Sequence, residues 1–366
     1  MTGAVDGVVR IWKAPAVPAD TDAAAYTSEH QVWHPSADRV LQITPDAGRL
    51  LVGDPAGHVH VIPADASLDD LKAIDEDVSF VGHNADVEVL SVDGSGSLVA
   101  SAASDNTVRV WNTDSGQPLP YMAEISGAAV TRMVFSPGAS LLGVLNDDRV
   151  WLLNVASGEP IADFELGESH AGIAFANDEQ LYVGGDGGSL RLINKDAEGS
   201  WALSTLWQGA APIRWLEASP RGEYLVLVDQ NNLASQFILA EGRLADGVLQ
   251  LPKAVSDVTF SGGGSRVSFL TSRWVHRASS SMAGLVWQDS VFAPKAIHGA
   301  GVVAGSPGAA GASANRLYLP AARNGFVEFV ELGFRGSSHP GLFGNKKELL
   351  EEWRPRLRGV MVPPGT

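Results

Sequence analysis

The chain has 366 residues, 45% of them hydrophobic, which is enough to bury the core of one large all-β domain or two ordinary ones. Its 42 Asp and Glu outweigh 26 Lys and Arg, the formal charge is −16, and no basic stripe is present, which argues against DNA, RNA and anionic membrane as partners. The absence of cysteine removes disulfides, thiolate zinc sites and cysteine nucleophiles together, and no apolar run reaches the roughly 18–20 residues of a membrane-spanning helix.

In chain order, the first predicted strand covers residues 8–12, behind the turn signal Asp6-Gly7. Strand-like runs follow at 40–44, 50–53 and 58–62. The clearest unit comes next: Gly82-His83, then runs at 87–92, 98–102 and 108–111. Asp93-Gly94-Ser95-Gly96 and Ser104-Asp105-Asn106 separate those runs as turns, because Gly tolerates positive φ and Asp or Asn bonds its own backbone. Val108, Arg109, Val110 and Trp111 alternate with the period of a strand. Further three-strand units are predicted at 129–136, 141–145 and 147–153; at 170–175, 181–184 and 189–193; at 213–219, 224–228 and 233–237; at 255–261, 267–270 and 274–278; and at 302–306, 316–319 and 326–330.

Matched third-strand positions fall at Trp12, Ile62, Trp111, Leu153, Ile193, Phe237 and Val330. The spacing is roughly 40–50 residues, doubled at the last step across a divergent copy, and this is the period of propeller blades. A two-sheet sandwich would not sustain it. The fold expected is an all-β propeller, because a four-stranded blade hides both faces only against neighbours in a ring. Fourth strands are expected at 78–82, 161–166, 201–207, 248–252 and 285–292. The last copy lacks one, and Glu29 to His34 is a candidate to complete it, leaving no open edge. On that basis seven blades are favoured, with eight as the alternative.

The expected organisation is a surplus half-blade and linker at 1–27, the propeller at 28–333, and a C-terminal extension at 334–366. The half-blade means either that blades precede this chain in a longer protein or that the ring has eight. In the extension, Asn345 is placed to cap a short helix over 346–353, limited by Pro355. Its apolar side (Leu349, Leu350, Trp353, Leu357) serves either rim packing or a partner.

Residues 82–112 resemble a WD repeat, opening with Gly82-His83 and ending in Trp111-Asn112 where the family has Trp-Asp. The resemblance implies a hydrogen-bonded tetrad of His83, Ser101, Asp105 and Trp111. Elsewhere the Trp is replaced by Ile, Leu, Phe or Val and Gly-His is missing.

No GxxxxGK[ST], HExxH or GxSxG pattern is present. The clusters at 184–188 and 262–264 lie between strands and read as hairpin turns. His58 and His60 share one face of a strand, but no third metal ligand is marked by spacing. The acidic run at 65–77 lacks the spacing and central Gly of a calcium loop. Ser279-Ser280-Ser281 near His276 lack a third catalytic group. No catalytic residue, metal or cofactor is therefore expected.

For binding, the informative position is the one just before the second buried residue of each first strand: Val89, Arg132, Gly172, Trp215 and Asp257. In WD-repeat proteins that position looks into the channel mouth. Arg132, Trp215 and Asp257 are the candidate contact set, since Trp and Arg dominate interface hot spots. The expected function is a non-catalytic scaffold or adaptor for a protein or peptide partner at the channel face. The alternatives are a propeller enzyme or small-ligand or metal-binding propeller with a channel site, and a sensor module of a larger multidomain protein. With no signal pattern at residue 1, a cytoplasmic location is expected, unless the true start lies upstream.

Overall fold

The computed structural model describes residues 2–3, 8–13, 27–33, 40–45, 49–53, 55–63, 79–119, 123–125, 127, 129–271, 274–292, 303–304, 316–323 and 326–333. Their strands form eight antiparallel sheets, numbered here in chain order. Sheet 1 holds β1 (Thr2–Gly3), β2 (Val8–Lys13) and β3 (Thr27–Trp33). Sheet 2 holds β4 (Val40–Ile43), β5 (Arg49–Gly53), β6 (His58–Pro63) and β7 (Ser79–Val81). Sheet 3 holds β8 (Val87–Val92), β9 (Leu98–Ala103), β10 (Thr107–Asn112) and β11 (Ala123–Glu124). Sheet 4 holds β12 (Arg132–Phe135), β13 (Leu141–Leu145), β14 (Arg149–Asn154) and β15 (Pro160–Glu165). Sheet 5 holds β16 (His170–Asn177), β17 (Gln180–Gly185), β18 (Ser189–Lys195) and β19 (Trp201–Gln208). Sheet 6 holds β20 (Ile213–Ala218), β21 (Tyr224–Asp229) and β22 (Leu233–Ile238), with the short β23 (Arg243–Leu244) and β24 (Leu249–Gln250) both pairing with β22. Sheet 7 holds β25 (Val255–Ser261), β26 (Arg266–Thr271), β27 (Trp274–Ser281) and β28 (Gly284–Phe292). Sheet 8 holds β29 (Val303–Ala304), β30 (Arg316–Arg323) and β31 (Phe326–Gly333).

The cores lie between sheets. Leu51, Val59 and Phe80 of sheet 2 pack on Val87, Leu90 and Trp111 of sheet 3. Val108 and Val110 of sheet 3 meet Met133, Phe135 and Val144 of sheet 4. Leu145, Val150 and Leu152 meet Ile173, Leu181 and Ile193 of sheet 5. Sheets 5 and 6, then 6 and 7, repeat the arrangement through Tyr182 and Phe237, and through Val228 and Phe269. Middle strands are thus buried on both faces, which is why all five residues of β13 are apolar or glycine and buried. Each fully buried Leu in these seams contributes roughly 1.5–3 kcal/mol. First strands lie side by side in chain order, β4, β8, β12, β16, β20 and β25, and so line the axis. Successive sheets packed face to face around first strands make a β-propeller.

One expectation is corrected. The segment from Glu29 to His34 does not complete the last sheet: β3 pairs with β2, with Val8 opposite Trp33 and Lys13 opposite Thr27. The N-terminal copy therefore has a third strand of its own, and the premise that favoured seven blades falls away. The predicted helix over 346–353, the rest of 334–366 and the acidic run at 65–77 lie outside the described residues. Among the described residues, no helix is long and apolar enough to cross a membrane.

Candidate functional site

The hydrogen-bonded corner of sheet 3 is built from two connections and two strands. Trp111 Nε1–H donates to Ser101 Oγ at 2.8 Å, and Ser101 Oγ lies 2.7 Å from His83 Nε2. His83 Nδ1 lies 2.8 Å from Thr107 Oγ1 and 3.3 Å from Asp105 Oδ1. Asp105 also accepts the Thr107 hydroxyl at 2.6 Å and the amides of Asn84 and Thr107 at 2.8 and 3.0 Å. One proton assignment serves every pair: Trp111 donates to Ser101, Ser101 to His83 Nε2, and His83 Nδ1–H to Thr107 and Asp105. Burial lowers the His83 pKa, against the opposing pull of Asp105, and so favours the neutral ring. Burial raises Asp105, but the bonds from Thr107 and Asn84 outweigh it and the carboxylate titrates low. Phe80 stacks on the Trp111 ring at 5.2 Å. Gly82 is required beside this ring, since a Cβ there would sit 2.8 Å from Trp111 Cη2.

The axial positions are set by a shared irregularity. Register shifts fall near the start of four first strands, at Val87/Val89, His170/Gly172, Ile213/Trp215 and Val255/Asp257. A bulge re-aims the side chain that follows it. The structure brings Arg132 and Trp215 together: the guanidinium carbon lies 4.2 Å from the Trp215 ring centroid, reaching from sheet 4 to sheet 6 past sheet 5. In sheet 5 the matching residue is Gly172, where a Cβ would stand 2.7 Å from Leu216 Cβ, so only glycine lets β16 and β20 approach so closely. Trp215 Nε1–H donates to the Val255 carbonyl of sheet 7 at 3.0 Å, and its ring packs on the seam between sheets 6 and 7. Both Arg132 and Trp215 are half-buried. Asp257 pairs with Leu270 through its backbone, and its side chain lies outside what is described. Val89 packs against the seam between sheets 3 and 4.

The hydrogen-bonding partners of two further groups gave no signal in the sequence. Glu168, in the connection before β16, accepts the Gly187 amide at 2.8 Å, the Ser189 hydroxyl, and Arg191 Nη2 at 3.3 Å. His170 Nδ1 donates to the Glu168 carbonyl, while its buried Nε2 makes no hydrogen bond and stands 3.8 Å from Glu168 Oε1. The second group links sheets 6 and 7: buried Gln236 accepts the Ser280 hydroxyl at 2.8 Å and donates to the Ser281 carbonyl at 2.6 Å. The Ser279-Ser280-Ser281 run is thus part of a seam, and His276 bonds Ser290 at 2.8 Å. His58 and His60 meet edge to face at 6.1 Å. Among the described residues, no group of three or more His, Asp or Glu is placed to hold a metal.

The WD40 family model (WD domain, G-beta repeat) matches residues 76–112, the segment that contains this corner. The chain is 33% identical over 90 residues, 24% of its length, to the ribosome biogenesis protein BOP1 homolog of Oryza sativa subsp. japonica. It is 27% identical over 116 residues, 31% of its length, to protein tipD of Dictyostelium discoideum. These matches span only 13% and 19% of the two proteins. Among solved structures, the Cps50 (Swd1) β-propeller domain of Myceliophteria thermophila aligns with a TM-score of 0.56 at 15% identity, covering 80% of this chain and 97% of that one. The chain thus carries a WD40 repeat at 76–112 and has the fold of a β-propeller.

Proposed function

We propose that the chain is a non-catalytic scaffold that holds a protein or peptide partner at the end of the channel where Arg132 and Trp215 meet. The observation that carries this reading is the stacked pair itself, 4.2 Å from guanidinium carbon to ring centroid. It bridges three successive sheets and leaves a flat, half-buried cationic and aromatic surface, the composition of an interface anchor. The rice relative, named for ribosome biogenesis, is consistent with a role in an assembly.

The test compares the proteins that co-purify at native abundance with the wild-type chain and with Arg132→Glu. The expected result is loss of a partner in the variant, with an affinity drop of roughly 30-fold (~2 kcal/mol), and an unchanged melting curve. An identical set of partners at identical affinity would overturn the reading. Trp215→Ala is the weaker probe, because Trp215 also bonds Val255 and packs the seam.

A further inference from the structure

The outer strands are the free edges of this fold, and the chain protects them unequally. In sheets 2 and 3 the outer strand has only three and two residues. Sheet 6 ends in two strands of two residues each. β15 begins at Pro160 and carries Asp163 and Glu165, both ion-paired with Arg149. β19 is long, but its Trp201, Leu203, Leu206 and Trp207 are packed on the seams, while Ser204 and Thr205 face out. Shortness, proline, charge and polar faces are the usual ways of blunting an edge.

β28 uses none of the first three over its leading half. It runs nine residues, Gly-Leu-Val-Trp-Gln-Asp-Ser-Val-Phe, with one charged residue. Val286 and Trp287 are 56% and 40% exposed. Being consecutive, they stand on opposite faces of the strand and flank its edge. Of the six large apolar side chains exposed among the described residues, four gather here: these two, Met282 in the turn before β28, and Val248 beside Gly247. The edge already accepts main-chain pairing. Gly247 and Gly284 form a parallel bridge, with Gly247 N–H donating to Ala283 at 3.3 Å and Leu285 N–H to Gly247 at 3.4 Å. Beyond it, from Val286 on, β28 pairs only with β27 among the described residues, and Gln288 is the extra residue where that pairing shifts register between Trp287 and Asp289.

We infer that the outer edge of β28 is a second docking surface, which takes an extended segment of a partner protein by strand addition. Backbone groups with no strand partner among the described residues select an extended chain, and Val286 on one face and Trp287 on the other select apolar side chains at adjacent positions of it. The charge of −16 selects basic flanks and disfavours a second copy of the chain, since two such bodies repel.

The test is selection of a random peptide library on the full chain, followed by affinities for wild type, Val286→Lys, Gln288→Pro and Arg132→Ala. Expected peptides carry consecutive apolar residues flanked by Lys or Arg, and bind wild type about tenfold or more tighter than Val286→Lys and Gln288→Pro. Arg132→Ala leaves them unaffected, which separates this surface from the channel site. N-methylating one alternate set of peptide amides abolishes binding and methylating the other set does not. Val286→Lys alters an exposed side chain and keeps the test alive should Gln288→Pro melt early. The inference is overturned by no enrichment, by peptides indifferent to Val286→Lys or to N-methylation, by peptides lost only in Arg132→Ala, or by a wild-type dimer in sedimentation that Val286→Lys dissolves.

Discussion

Sheets 3 and 5 close the same corner with different chemistry. Register makes them comparable: Val108 and Leu190 begin matching pairs with Ala102 and Gly184, so Thr107 matches Ser189, Trp111 matches Ile193, and Ser101 matches Val183. In sheet 3 a buried polar chain runs from the Trp111 indole through Ser101 and His83 to Asp105, whose carboxylate lies on the hairpin turn itself. In sheet 5 Val183 and Ile193, both wholly buried, replace the inner half of that chain. The carboxylate moves to the preceding connection, where Glu168 binds the Gly187 amide and the Ser189 hydroxyl from the other side. In both sheets a carboxylate holds an amide of the turn, and either of two loops can supply it. The polar chain is a way of fixing the connection to the turn, and packing does that work where the chain is lost.

The largest expected effect separates the two designs at their centres. Trp111→Ala removes a fully buried indole stacked on Phe80 and costs about 3–5 kcal/mol, read as a shift in urea midpoint. Ile193→Ala, at the matched site, is expected to cost ~2–4 kcal/mol. A larger loss from Ile193 would mean that the polar chain adds nothing beyond packing.

The carboxylates come next. Asp105→Ala strands His83, two amides and the Thr107 hydroxyl, and should cost about 2–3 kcal/mol. Glu168 serves fewer groups in a more exposed place, so Glu168→Ala should cost about 1 kcal/mol. Equal losses would erase the distinction between turn-borne and loop-borne anions. A third substitution mixes the designs. Val183→Ser plants the hydroxyl of sheet 3 in sheet 5, where Ile193 offers no donor, and should cost about 1–2 kcal/mol. A neutral result would show that water or relaxation satisfies the site.

The contrast also explains what could be read before the structure. Sheet 3 was legible because Gly82-His83 and Trp111 are rare residues held at fixed separation by the hydrogen bonds they make. Glu168 was not, because one glutamate among 42 acidic residues becomes meaningful only once the shift at His170/Gly172 sets which turn it faces. Most strands were legible from alternation and turn residues, down to β28, since their faces are decided locally. The partner of β3 was not: an edge segment such as 27–33 is equally good chemistry beside β2 or beside the last sheet, and the choice is made by distant parts of the chain. At the channel, sequence placed Arg132 and Trp215 at one register level, whereas the stacking of their side chains depends on Gly172 drawing β16 against β20.

The smallest effect expected is a pH slope, and it tests the two corners together. Burial lowers the pKa of His83 and of His170 below 6.5, so the unfolded chain binds protons more readily than the folded one. Stability from both is complete above 6.5 and is lost as pH falls from there through the folded pKa values. Asp105 and Glu168 are held below 3.8 and 4.5, so their contribution survives this first decline and is lost only under stronger acid. Unfolding midpoints should therefore fall in two stages, the histidine stage first. The two rings differ in what a proton does. Protonating His83 Nε2 breaks its acceptance of the Ser101 hydroxyl, whereas a proton on His170 Nε2 breaks no hydrogen bond and faces Glu168 Oε1 at 3.8 Å. His83→Gln should therefore flatten the first stage more than His170→Gln does, judged by slope and not by absolute stability. The reverse order would show that the intact polar chain tolerates acid better than the packed corner, and that the apolar replacement in sheet 5 is the weaker design.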